Sequence, residues 1–154
     1  MTEELLIREK ATLKQTNLDF YNYINNLGLR KKSRTLILSA VSFFYYEPSE
    51  VYKFKDVVCL KNLNSIEKLD SFITSISVSL KIGTNFYGCF INNKFGQKSF
   101  KYFSFFEFIT LLIDTKMKRL MSQKDVSILL AANNFKILDM KEINGIIYFY
   151  SKKL

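Results

Sequence analysis

The chain has no histidine and no tryptophan, and only two cysteines, one proline and five glycines in 154 residues. Without histidine there can be no histidine general base. With Cys59 and Cys89 alone and no CxxC pair, the usual His and Cys ligands of a zinc site are missing, so no zinc site is expected. Both cysteines lie inside apolar, strand-like runs, so the expectation is two buried free thiols. No apolar run reaches the roughly 18 residues that a membrane-spanning helix needs. The opening MTEELLIREK carries acids where a secretory signal carries bases, and no small-residue cleavage site follows. These absences lead to the expectation of a soluble, cytoplasmic protein. There is also no internal repeat, low-complexity tract or linker, so residues 1–154 read as a single domain: an N-terminal helix (1–28) and an α/β body (35–154).

What is present is globular in character. The chain is 48% hydrophobic and 24% charged, and long enough for one real core. Its net charge is +9, with +2 in residues 1–77 and +7 in residues 78–154. Such an excess can attract phosphates or an acidic protein partner. The abundance of Lys, Asn, Ile, Phe and Tyr also fits the codon usage of an AT-rich genome.

Hydrophobic spacing gives the order of elements. Leu6, Leu13, Phe20, Ile24 and Leu27 form one stripe and predict a helix over 3–27, closed by Gly28. A basic run, Arg30, Lys31, Lys32 and Arg34, precedes an apolar strand over 35–41. The aromatic run Phe43, Phe44, Tyr45 and Tyr46 follows, then a break at Pro48. Asp56–Leu60 predicts a second strand. Ser65 is placed to cap a helix carrying Ile66, Leu69, Phe72, Ile73, Ile76 and Leu80, with Gly83 closing it. Phe86–Ile91 predicts a third strand. Ser104…Glu107 and Ser122…Asp125 each open a helix. Asn144-Gly145, between the apolar runs 135–143 and 146–150, predicts a hairpin. Strand–helix–strand order implies a three-layer α/β fold: a mostly parallel, Rossmann-like sheet of about five strands, ending in an antiparallel C-terminal hairpin.

These segments resemble, in order, the C-terminal half of class I S-adenosylmethionine-dependent methyltransferases. Asp56-Val-Val-Cys-Leu-Lys-Asn-Leu resembles the family's fourth strand, and Ser65-Ile-Glu-Lys-Leu-Asp-Ser-Phe the helix after it. Leu80-Lys-Ile-Gly83 resembles the step into the fifth strand, with Ile82 in place of proline. Asn134-Phe-Lys-Ile-Leu resembles the step into the sixth strand, and Ile147-Tyr-Phe-Tyr-Ser-Lys-Lys the closing strand. The resemblance covers roughly residues 54–153. It makes residues 36–41 the first strand, after which the family places a glycine-rich cofactor loop. Here Ser42-Phe-Phe-Tyr-Tyr-Glu follows instead. The stretch between Val41 and Asp56 is too short for two more strands with their helices, so the second and third strands are expected to be absent.

Several residues are candidates for sites. At the strand ends, Lys61, Asn62, Asn64, Asn92, Asn93 and Lys94 can either touch a ligand or simply make turns. Phe43, Phe44, Tyr45 and Tyr46 can be an interface patch, part of the core, or stacking platforms beside Arg30–Arg34 and Lys94–Lys101. The carboxylates Glu47, Glu50, Asp56 and Glu107 form no recognisable catalytic pair. No catalytic, cofactor-binding or metal-binding residue is therefore assigned. The resulting expectation is a noncatalytic methyltransferase-like subunit, binding no cofactor, that forms a homo- or hetero-oligomer and supports or activates a partner, such as a complete methyltransferase. One alternative is an active methyltransferase whose S-adenosylmethionine lies over Ser39–Phe43 and Asn62 or is held jointly with another subunit. The other is a basic RNA-binding accessory protein.

Overall fold

The structure is a computed structural model that describes residues 18–28, 34–38, 51–92 and 119–154. In chain order the described elements are α1 (Leu18–Asn26), β1 (Thr35–Leu38), β2 (Asp56–Cys59), a 3-10 turn (Leu63–Ser65), α2 (Leu69–Ser79), β3 (Asn85–Ile91), α3 (Gln123–Ala132), β4 (Phe135–Ile143) and β5 (Ile146–Lys153). The five strands form one sheet in the order β1-β2-β3-β5-β4. β1, β2 and β3 pair in parallel, while β5 runs antiparallel to both β3 and β4. The sheet is therefore mixed, with its last strand inserted beside β3. That insertion is what the C-terminal hairpin makes possible.

Alternation along the strands explains why there are three layers. Leu36, Leu38, Val57, Phe86, Phe90, Ile147 and Phe149 point to one face and pack against α2 (Leu69, Phe72, Ile73, Ile76) and α3 (Val126, Leu130). Ile37, Val58, Tyr87, Cys89 and Tyr148 point to the other, where α1 supplies Phe20, Tyr23 and Ile24. The Tyr23 hydroxyl adds a polar tie, donating to Asp139 at 2.8 Å.

Local signals account for most boundaries. Gly28 stops α1 with a positive φ of 78°. Ser122 caps α3, and Asp125 reaches back to complete the capping box. Asn144 and Gly145 both have positive φ, as the tight hairpin between β4 and β5 requires. Two expectations need correcting. Ser65 does not cap α2: it closes the 3-10 turn through a hydroxyl bond to the Asn62 carbonyl at 2.8 Å, and α2 starts after Lys68. Gly83 does not end α2, which stops at Ser79; Gly83 instead turns the chain into β3 at a φ of 86°.

Phe43–Tyr46, Arg30–Lys32, Asn93–Lys101 and the helix expected from Ser104 lie outside the described residues, as do Leu6, Leu13, Glu47, Glu50 and Glu107.

Candidate functional site

In a sheet of this kind, ligands bind beyond the C-terminal ends of the parallel strands. Leu38, Cys59 and Ile91 mark those ends here. The β1–β2 ladder runs one step further, with the Leu60 amide donating to the Leu38 carbonyl at 2.9 Å. The chain then turns sharply. The Asn62 carbonyl accepts from both the amide and the hydroxyl of Ser65, and Asn62 Oδ1 accepts from the Cys89 thiol at 3.1 Å. Asn62 is thus held on both its backbone and its side chain.

Asn64 is fully buried. Its Oδ1 accepts from the Ile91 amide at 2.7 Å, and its Nδ2 donates to the carbonyls of Ile91 at 3.1 Å and Arg119 at 3.0 Å. The side-chain amide therefore takes over the role of a neighbouring strand where β2 has ended. For Asn64 the structure realises a structural role in place of ligand contact. Nothing in the sequence separates it from the other asparagines, because its partners lie 27 and 55 residues away. Lys61 and Asn62 remain partly exposed. Asn92 forms a parallel bridge with Met121.

The two thiols are not chemically available. Burial pushes Cys59 up to about 12, outweighing the backbone hydrogen bond and the ammonium charge of Lys61, which act the other way. Burial raises Cys89 as well, with Cys59 adding to the effect. Burial thus holds both in the thiol form near neutral pH, the less nucleophilic state. Among the described residues no group of His, Cys, Asp and Glu is placed to hold a metal. At the same end of the molecule a groove of about 400 Å³ opens beside Leu120, Met121, Ile128 and Leu129. Its charged groups are engaged: Asp70 with Arg119 at 3.3 Å, and Asp125 with Ser122.

The fold is that of known methyltransferases. An O-methyltransferase family protein from Burkholderia thailandensis superposes with a TM-score of 0.62 at 9% identity, over 94% of this chain and 58% of its own. A chain of the complex between the Haloferax volcanii Trm112 methyltransferase activator and the putative methyltransferase gives 0.62 at 7% identity, over 94% and 93%. A methyltransferase from Thermotoga maritima, described as a possible histamine N-methyltransferase, gives 0.57 at 11%, over 98% and 97%. No protein-family model and no curated protein sequence matches the chain. The molecule has a shortened class I methyltransferase-like, Rossmann-like fold, and β1 to β5 stand where the resemblance puts its first, fourth, fifth, sixth and closing strands.

Proposed function

We propose that this chain is a noncatalytic methyltransferase-like subunit that associates with a protein partner and supports or activates it. The observation that carries this reading is the connection from β1 to β2. These strands are parallel neighbours, and only residues 39–55 lie between them. That stretch contains no glycine, nor does any position between Gly28 and Gly83. A glycine-rich turn lets the backbone approach a cofactor closely, and a Cβ at those positions closes the space. The polar groups beyond β2 also favour a structural role, since Asn64 is buried and Asn62 is engaged with Ser65 and Cys89. The Haloferax neighbour, a complex with an activator, supports association as a way for such a fold to work.

The second reading is an active S-adenosylmethionine-dependent methyltransferase with an atypical or shared pocket. It is favoured by the extent of the superposition, which takes in 97% of the Thermotoga enzyme.

Light scattering on protein purified from its native host tests the first reading. A homo- or hetero-oligomer at micromolar concentration is expected. A monomer with no co-purifying protein contradicts it.

A further inference from the structure

The register of the sheet brings one chemical type together at the end opposite the candidate site. Lys55 immediately precedes β2, Lys81 lies in the turn into β3, and Lys152 is the last residue but one of β5. Lys152 faces Lys136 across the β4–β5 ladder, and Arg34 precedes β1. All five side chains are exposed, so each strand brings a cation to this end. By the alternation of the strands Lys136 and Lys152 project on the α1 face and Arg34 and Lys55 on the α2 and α3 face, so the charges gather around one end of the sheet.

No exposed acidic side chain lies there among the described residues. Asp56 at that level is buried, accepts from Asn85 Nδ2 at 2.7 Å and faces Tyr87, and half-buried Asp139, further along β4, accepts from Tyr23. The exposed acids Glu67, Asp70, Asp125 and Glu142 sit near the opposite end, just before α2, in the first turns of α2 and α3, or at the end of β4. Lys136 directly opposite Lys152 is a like-charge cross-strand pair, an arrangement that weakens a sheet.

Apolar side chains stand at the same end. Ile82 is 82% exposed, Val78 73%, Leu154 60% and Tyr52 41%. They are neighbours in space: the Gly83 amide donates to the Lys153 carbonyl at 2.8 Å, and the Lys81 ammonium lies 5.6 Å over the Tyr52 ring. A nucleic acid would use the cations but gain little from Val78, Ile82 and Leu154, which offer no stacking face. A membrane surface favours protruding aromatic anchors, whereas Tyr52 lies under a lysine. Aliphatic residues beside cations that meet no exposed acidic side chain among the described residues fit a protein surface that carries both carboxylates and apolar side chains.

We infer that this end of the sheet, built around Lys55, Lys81, Ile82, Lys152 and Leu154, is a docking surface for an acidic, apolar-bearing segment of a partner protein. The inference rests on the subunit reading for its choice of a protein as occupant.

The test is an NMR titration of the full chain with a synthetic peptide of alternating glutamate and leucine. Parallel titrations use a 20-nucleotide single-stranded RNA and phosphatidylserine vesicles. Peptide-induced shifts are expected at residues 52–55, 78–84 and 152–154. Lys81→Glu with Lys152→Glu should weaken binding at least tenfold and Ile82→Ser several-fold, while Lys124→Glu leaves it unchanged. Circular dichroism confirms that each variant is folded, and Lys81→Ser with Lys152→Ser gives a milder neutral pair. No saturable binding, shifts at the other end, insensitivity to Ile82→Ser, or stronger binding of RNA or vesicles at these residues overturns the inference. Light scattering reads the subunit proposal separately, because an oligomer that persists in the charge-reversed variant leaves that proposal standing without this surface.

Discussion

The side chain of Asn64 pairs with both backbone polar groups of Ile91, accepting from its amide at 2.7 Å and donating to its carbonyl at 3.1 Å. Replacing it with leucine leaves buried backbone groups of Ile91 without these partners, at a cost of about 1–3 kcal/mol for each orphaned group. Asn64→Leu is expected to lower stability by about 2–4 kcal/mol, read from the urea midpoint at unchanged slope. A loss within about 0.5 kcal/mol would show that Asn64 is not the clamp described.

Gly88 lies against the Phe149 ring. A Cβ at that position would come 2.5 Å from Phe149 Cζ, and Phe149 is itself fully buried. Gly88→Ala should therefore cost about 1–3 kcal/mol through overpacking. Combining it with Phe149→Leu should recover part of that loss. Additive losses in the double variant argue against a direct clash.

The thiols give a chemical check on the fold. Cys59 and Cys89 should not react with a disulfide reagent at pH 8 on the timescale of minutes, and both should react once denaturant is added. Rapid labelling of either residue in the native protein contradicts its placement.

The cap of α3 should show a pH signature. Hydrogen bonds from the Ser122 side chain and backbone lower Asp125 below its ordinary carboxylate value of 3.8. A depressed carboxylate stabilises the fold fully above its unfolded value and loses that contribution as pH falls through the folded one. Helix α3 should therefore fray as pH drops below about 4, by amide exchange at residues 123–126. Ser122→Ala should cost about 1 kcal/mol near neutral pH and flatten this response. An unchanged acid profile in that variant contradicts the capping assignment.

The sequence was legible where a structural signal is local. Ser122 with Asp125, Asn144 with Gly145, and Gly28 after a helical stripe each carry their geometry within a few residues, and each stands where expected. The near-continuous apolar runs, alternating with helical stripes, also pointed to the α/β sheet and its closing hairpin. Ser65 misled because a serine caps a 3-10 turn as readily as a helix, and Asn62 was close enough to capture it. The clamp at Asn64 and the gathering of cations at one end were not legible, because each joins segments far apart in the chain. Only the register of β2, β3, β5 and β4 places Lys55, Lys81, Lys152 and Lys136 at one end.

The central claim is that this fold works without a cofactor of its own, and calorimetric titration of the isolated chain with S-adenosylmethionine tests it most directly. The account predicts no saturable heat at micromolar to millimolar ligand. Binding with a micromolar Kd would contradict it and establish the active-methyltransferase reading in its place.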